Sequence, residues 1–135
     1  MFVTVVDTVQ STIELSLPYP PSGNHSVRHA AGGRHYLAAS ARAYRGAVLV
    51  AVAGRGLGSF ARRGALQGPL ALSWLLLPPD ARARDSDNVM KAVRDALTKA
   101  GVWVDDSNRV IRREVIEWSD PVPGGRVELT IEVLG

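Results

Sequence analysis

Leu70-Ala71-Leu72-Ser73-Trp74-Leu75-Leu76-Leu77, stopped by Pro78-Pro79 and carried through Asp80–Arg84 into Asp85-Ser86-Asp87-Asn88-Val89-Met90-Lys91, is the stretch that decides the fold. Eight nearly all-apolar residues have strand length and suit a central strand buried on both faces. The prolines end it, because each removes a ladder donor and fixes φ. Beyond the acidic residues, Val89, Ala92, Val93, Ala96, Leu97 and Ala100 recur at helical spacing. Asp87 stands where an N-cap belongs and Gly101 where the helix must stop, so the spacing predicts a helix over about Asn88–Ala100.

Upstream, Tyr44, Ala47, Val48, Ala51 and Val52 form another helical stripe, which places a helix at about Ala38–Ala53 with Arg42 and Arg45 off the buried face. Thr12–Leu17 alternates apolar and polar residues as a half-buried strand does, and Pro18, Pro20 and Pro21 close it. Ser22–Tyr36 reads as a polar loop carrying Asn24, Arg28 and Arg34 with all three histidines. His25 and His29 have zinc-like i, i+4 spacing, but the surrounding prolines and glycines oppose the helix that would align them. Gly54–Gly68 is a Gly-rich basic loop containing Phe60, Arg62 and Arg63.

Downstream, strands are expected at Arg109–Trp118 and Arg126–Leu134, joined through a turn at Asp120–Gly125. The order is therefore β-α-β-α-β-β, an α+β single domain with a mixed sheet of about four strands and two helices packed on it. Residues 1–11 are read as an N-terminal extension and residues 12–135 as the domain proper.

The 135-residue chain has a formal net charge of +3 and a sequence pI of about 9.8. No apolar run approaches the ~20 residues of a membrane-spanning helix, and no leader sequence is recognisable, so a cytoplasmic protein is expected. The absence of cysteine excludes disulfides and thiolate metal sites. Residues 1–63 hold seven arginines against only Asp7 and Glu14, a charge balance suited to phosphate.

Against that basic background, Asp85 and Asp87 crowd together and Asp105-Asp106 follow beyond the helix. Clustered anions oppose each other's ionisation unless water or a hard cation compensates them. Mg²⁺ prefers such carboxylate oxygens and keeps positions open for phosphate, with Mn²⁺ as an alternative ion. Asp85 and Asp87 are two residues apart, so in an extended segment they point to one side. The chain after the helix is just long enough, at ~3.3–3.6 Å per extended residue, to bring Asp105 or Asp106 back to the helix start. Spacing does not choose between those two. Lys91, one turn after Asp87, would either steady a phosphate or form an exposed pair with Asp87 worth ~0.3–0.5 kcal/mol.

Arg84-Asp85-Ser86-Asp87-Asn88-x-x-Lys91, followed by Asp95-Ala96-Leu97-Thr98-Lys99-Ala100-Gly101-x-Trp103-x-Asp105-Asp106, resembles the RusA family of Holliday-junction resolvases. The likeness extends upstream to Leu17-Pro18-x-Pro20-Pro21-Ser22-x-Asn24 and Ala43-Tyr44-Arg45, and downstream to Gly124-Gly125-Arg126-x-Glu128-Leu129-Thr130-Ile131. It implies a small dimeric Mg²⁺-dependent endodeoxyribonuclease that cuts four-way DNA junctions. On this resemblance Asp85, Asp87 and Asp106 are the acidic metal ligands and Lys91 the essential lysine, with Asp105 the other possible ligand. Arg84, Asn24, Arg28, Arg34 and Arg45 are then the expected DNA contacts. A non-catalytic junction-binding module and a metal-dependent enzyme acting on nucleotides are the alternatives. The chain departs from the family pattern at Ser26-Val27, where an aromatic residue is expected, and in the length of Gly54–Gly68.

Overall fold

The computed structural model describes residues 9–21, 27–29, 35–37, 39–54 and 64–135. The elements are β1 (Val9–Leu17), β2 (Val27–His29), β3 (His35–Leu37), α1 (Ala39–Gly54), β4 (Leu70–Leu77), α2 (Ser86–Lys99), β5 (Ile111–Trp118) and β6 (Arg126–Leu134). Four strands form one sheet in the order β1-β6-β4-β5. β6 runs antiparallel to both β1 and β4, whereas β4 and β5 are parallel and joined through α2. The sheet is thus mixed and carries two helices, as the apolar patterning predicts.

The N-terminal part differs from the sequence reading in two respects. β1 begins at Val9, paired with Leu134, so the strand read as Thr12–Leu17 also takes in residues 9–11. Within the polar loop, β2 and β3 form a small antiparallel pair, too short to leave a periodic signal.

The core lies between one face of the sheet and the helices. Leu15 and Leu17 of β1, Leu70, Leu72, Trp74 and Leu76 of β4, and Val127, Leu129 and Ile131 of β6 all point into it. Tyr44, Val48 and Val52 close it from α1, and Val89, Met90, Val93, Ala96 and Leu97 from α2. Ala47, expected on the buried stripe, is exposed, and Met90, not expected there, is buried. β4 is covered on both faces only in part, since Ser73 is exposed and Leu75 half-buried. Trp74 and Trp103 meet edge to face at 6.5 Å. The Trp74 indole N–H donates to Glu114 at 2.9 Å, which satisfies its one polar atom.

Gly68, with φ +82°, lies where the chain enters β4. A Cβ there would stand 2.6 Å from the Val110 carbonyl oxygen, which accepts the Leu70 N–H at 2.7 Å. Gly68→Ala is therefore expected to cost at least about 1–2 kcal/mol from the left-handed conformation, before any displacement of Val110. Urea denaturation of the two proteins measures it, and an unchanged midpoint would remove the steric account.

Candidate active site

β4 delivers the chain to the site. After Leu77, the loop from Pro78 to Arg84 is pinned by its own side chains. Asp80 accepts from the Arg82 backbone N–H at 3.0 Å and from the Arg82 and Arg84 guanidiniums at 3.1 and 2.8 Å. Arg84 also donates to the carbonyls of Asp80 and Arg82, at 2.8 and 3.0 Å. Its guanidinium lies 5.8 Å over the Tyr19 ring, and the side chain is only 12% exposed. Arg84 thus braces the loop that presents Asp85. The sequence reading assigned it to DNA and assigned nothing to Asp80, although the alternation Asp80-x-Arg82-x-Arg84 in a short loop is a usable signal.

The Arg82 amide, followed by the two guanidiniums, draws the Asp80 carboxyl down to a pKa of about 2 from 3.8. A depressed folded-state pKa stabilises the ordered loop above the ordinary carboxylate range, and that stabilisation fades as pH falls from about 4 toward 2. Wild type should therefore be more stable than Asp80→Asn at neutral pH, and acid denaturation curves should bring the two together near pH 2. A difference that stays constant over that range would remove Asp80 from the explanation.

Asp85 is the N-cap of α2, with φ −100° and ψ 123°, and its Oδ1 accepts the Asp87 N–H at 2.9 Å. The expected cap, Asp87, lies instead within the first turn. Either aspartate suits the position chemically; the braced loop ahead of Asp85 fixes the choice. Both residues are exposed, two positions apart at the positive end of the helix. Lys91 is also exposed, one turn further on. Among the ion pairs of the described residues there is none between Asp87 and Lys91.

The C-terminal end of α2 is closed by a Schellman arrangement. The Val102 N–H donates to Leu97 and the Gly101 N–H to Thr98, with Gly101 at φ +80°. From there the chain does not return along the helix as its length permits. Leu66 N–H donates to Val102, Val104 N–H to Leu66, and Leu70 N–H to Val110. These bonds hold the 102–110 segment against the beginning of β4. Asp85 and Asp87 follow the end of β4, so the two acidic groups sit at opposite ends of a strand roughly 25 Å long. Among the described residues no three of His, Cys, Asp and Glu gather closely enough to hold a metal ion.

Asp105 and Asp106 are both exposed but differ in occupation. Asp105 Oδ1 accepts the Ser107 N–H at 2.7 Å. The Ser107 hydroxyl and amide hold its carboxyl below the usual carboxylate range. Its hydrogen bond closes a local turn, which leaves Asp106 as the more available ligand of the pair. Arg45 is half-buried and paired with Asp95 across the two helices, a partner that it would have to release to touch DNA. Arg28 lies in β2, while Asn24, Arg34 and the Phe60 loop fall outside the described residues.

The sequence profile of the family described as Endodeoxyribonuclease RusA matches residues 18–133. The chain belongs to the RusA family. It is 39% identical over 129 residues to the crossover junction endodeoxyribonuclease of Enterobacteria phage 82, covering 93% of this chain and 98% of that one. The corresponding proteins of Shigella sonnei and Escherichia coli K12 are 38% identical over the same share of each chain. The match thus spans nearly the full length of each of these relatives of the RusA-family chain. No helix among its described residues is long and apolar enough to cross a membrane.

Proposed function

We propose that this chain is a cytoplasmic Mg²⁺-dependent endonuclease that resolves four-way DNA junctions by paired nicks. The observation that carries the reading is the exposed Asp85–Asp87 pair at the start of α2, with Lys91 one turn beyond, in a chain of this family. The donor set suits the ion. Mg²⁺ is held through one or two carboxylates and keeps several waters and a substrate phosphate. The second oxygen of Asp85 and both oxygens of Asp87 accept no hydrogen bond among the described residues. When bound, the ion lowers the pKa of a coordinated water and neutralises charge on the phosphate; Mn²⁺ would serve in its place.

The residues of the chain do the rest. Asp85 and Asp87 would hold the ion beside the DNA backbone. Lys91 steadies negative charge that develops on the phosphate or the leaving oxygen. Arg84 keeps the loop, and hence Asp85, in register. Asn24, Arg28 and Arg34, with Arg45 when it exchanges Asp95 for phosphate, hold DNA through its backbone, so that binding falls steeply with salt.

The distance between the two acidic groups gives the dimer a purpose. A four-way junction offers two symmetry-related cleavage points, which a C2 homodimer matches. In an antiparallel pair of copies, the Asp106 end of one sheet lies beside the Asp85 end of the other. Each site then comprises Asp85, Asp87 and Lys91 of one protomer with Asp106 of the partner subunit. The test is cleavage of a labelled four-way junction beside matched linear duplex, with and without Mg²⁺. Paired nicks near the branch, dependent on metal and absent from linear duplex, are expected. Tight binding without cutting under any divalent metal would favour a binding module, and activity on free nucleotides alone a different enzyme.

A further inference from the structure

The loop that braces Asp85 forms one wall of a cleft of about 330 Å³ that the chemistry above does not use. Pro78, Asp80, Ala81, Arg82 and Arg84 of that loop line it together with Trp118, Ser119 and Pro121, with Arg82 paired to Asp80. The size lies at the lower end of the ~300–1,000 Å³ typical of small-ligand sites, room for a single nucleotide unit. Trp118 is 41% exposed at the end of β5, whereas Trp74 and Trp103 are buried at 2% and 1%. An indole partly open to solvent at a strand end offers a π-face to a ligand. The Ser119 N–H, bonded to Leu76 at 2.9 Å, fixes the backbone just beyond it. Arg82, whose side chain is 72% exposed, brings a cation to the same opening.

We propose that this cleft is a nucleotide subsite, in which Trp118 stacks on a base flanking the cut and Arg82 contacts the adjoining phosphate. The placement follows from the chain: Arg84 lines the cleft and Asp85 comes next, so a nucleotide seated there belongs to the strand beside the acidic pair. Stacking on an aromatic plane is indifferent to base identity in its main energy, and an exposed guanidinium suits the backbone next to it. This inference rests on the DNA-cleaving reading above.

Intrinsic fluorescence isolates the site, because Trp118 is the only one of the three tryptophans open to solvent. Four-way junction DNA is titrated into the full-length protein in chelator, which prevents cutting. Emission should be quenched in wild type and unchanged in Trp118→Phe, which keeps a stacking ring and junction affinity within about threefold. Trp118→Ala should bind about tenfold more weakly, as loss of one base–aromatic stack implies, with wild-type thermal melting. Arg82→Ala should reduce the slope of log K against log salt by about one. Quenching that persists in Trp118→Phe, or wild-type affinity in Trp118→Ala, overturns the subsite while cleavage by wild type still upholds the enzyme. A wild-type protein that neither binds nor cuts junctions overturns both.

Discussion

Asp85→Asn is expected to reduce junction cleavage by about a thousandfold or more while junction binding persists at wild-type strength or better. The size follows from what a metal ligand supplies: transition-state stabilisation by a bound divalent ion is worth several kcal/mol, and about 1.4 kcal/mol is tenfold in rate. The separation of effects follows from the second duty of Asp85 as the N-cap of α2. Asparagine caps a helix about as well as aspartate, so the variant keeps the Asp87 N–H satisfied and the helix start in place. Alanine does not, and Asp85→Ala should also lose about 0.5–2 kcal/mol of stability. Removing a negative charge from the surface proposed to face DNA relieves repulsion of phosphate, so binding should not fall. Single-turnover cleavage, mobility shift in chelator and thermal melting on the three proteins separate these effects. Near-wild-type cleavage by Asp85→Asn would mean that the carboxylate is only a cap.

How much of this was legible beforehand depends on whether the controlling interaction is local. β4 and β6 were readable at their observed limits, because an apolar run and a clean alternation state their own length. α2 was readable in its stripe and its Gly101 stop, yet its start slipped by two residues. Asp85 and Asp87 are equally good caps, and the choice is made by Arg84 gripping Asp80 and resting on Tyr19, a contact that spans 65 residues of chain. The Arg45–Asp95 pair has the same character: both residues look free on their own helices, and only the packing of α1 on α2 introduces them. The path after α2 shows the limit most plainly. Contour length says how far Asp106 can travel, whereas the bonds of Leu66 and Leu70 to Val102 and Val110 decide where it goes. The Trp118 cleft was invisible because β5 contributes a residue whose exposure depends on where the β4 loop turns.

Mixing two inactive variants, Asp85→Asn and Asp106→Asn, is expected to restore cutting that neither shows alone. If each site joins Asp85 of one protomer to Asp106 of the partner subunit, a mixed dimer contains one site with both substitutions and one with neither. Statistical exchange makes about half of the dimers mixed, and each of these carries one intact site. Such dimers should nick one strand of a junction and leave the second, so single nicks should accumulate where wild type gives linear products. A site built within one protomer predicts the opposite, because every site in every mixed dimer then carries one substitution and the mixture stays dead. The two outcomes differ by the full catalytic effect of a metal ligand, about a thousandfold on the estimate above. Asn is again the suitable replacement, since it preserves side-chain shape at exposed positions. Subunit exchange is verified by co-purifying differently tagged copies, which guards against reading slow exchange as absence of complementation. The result bears directly on the fold: placing Asp85 and Asp106 at opposite ends of β4 makes a lone chain unable to assemble the three carboxylates. Cutting would then depend on dimer formation, and a protomer would not act on DNA before its partner and a matching symmetric substrate were in place.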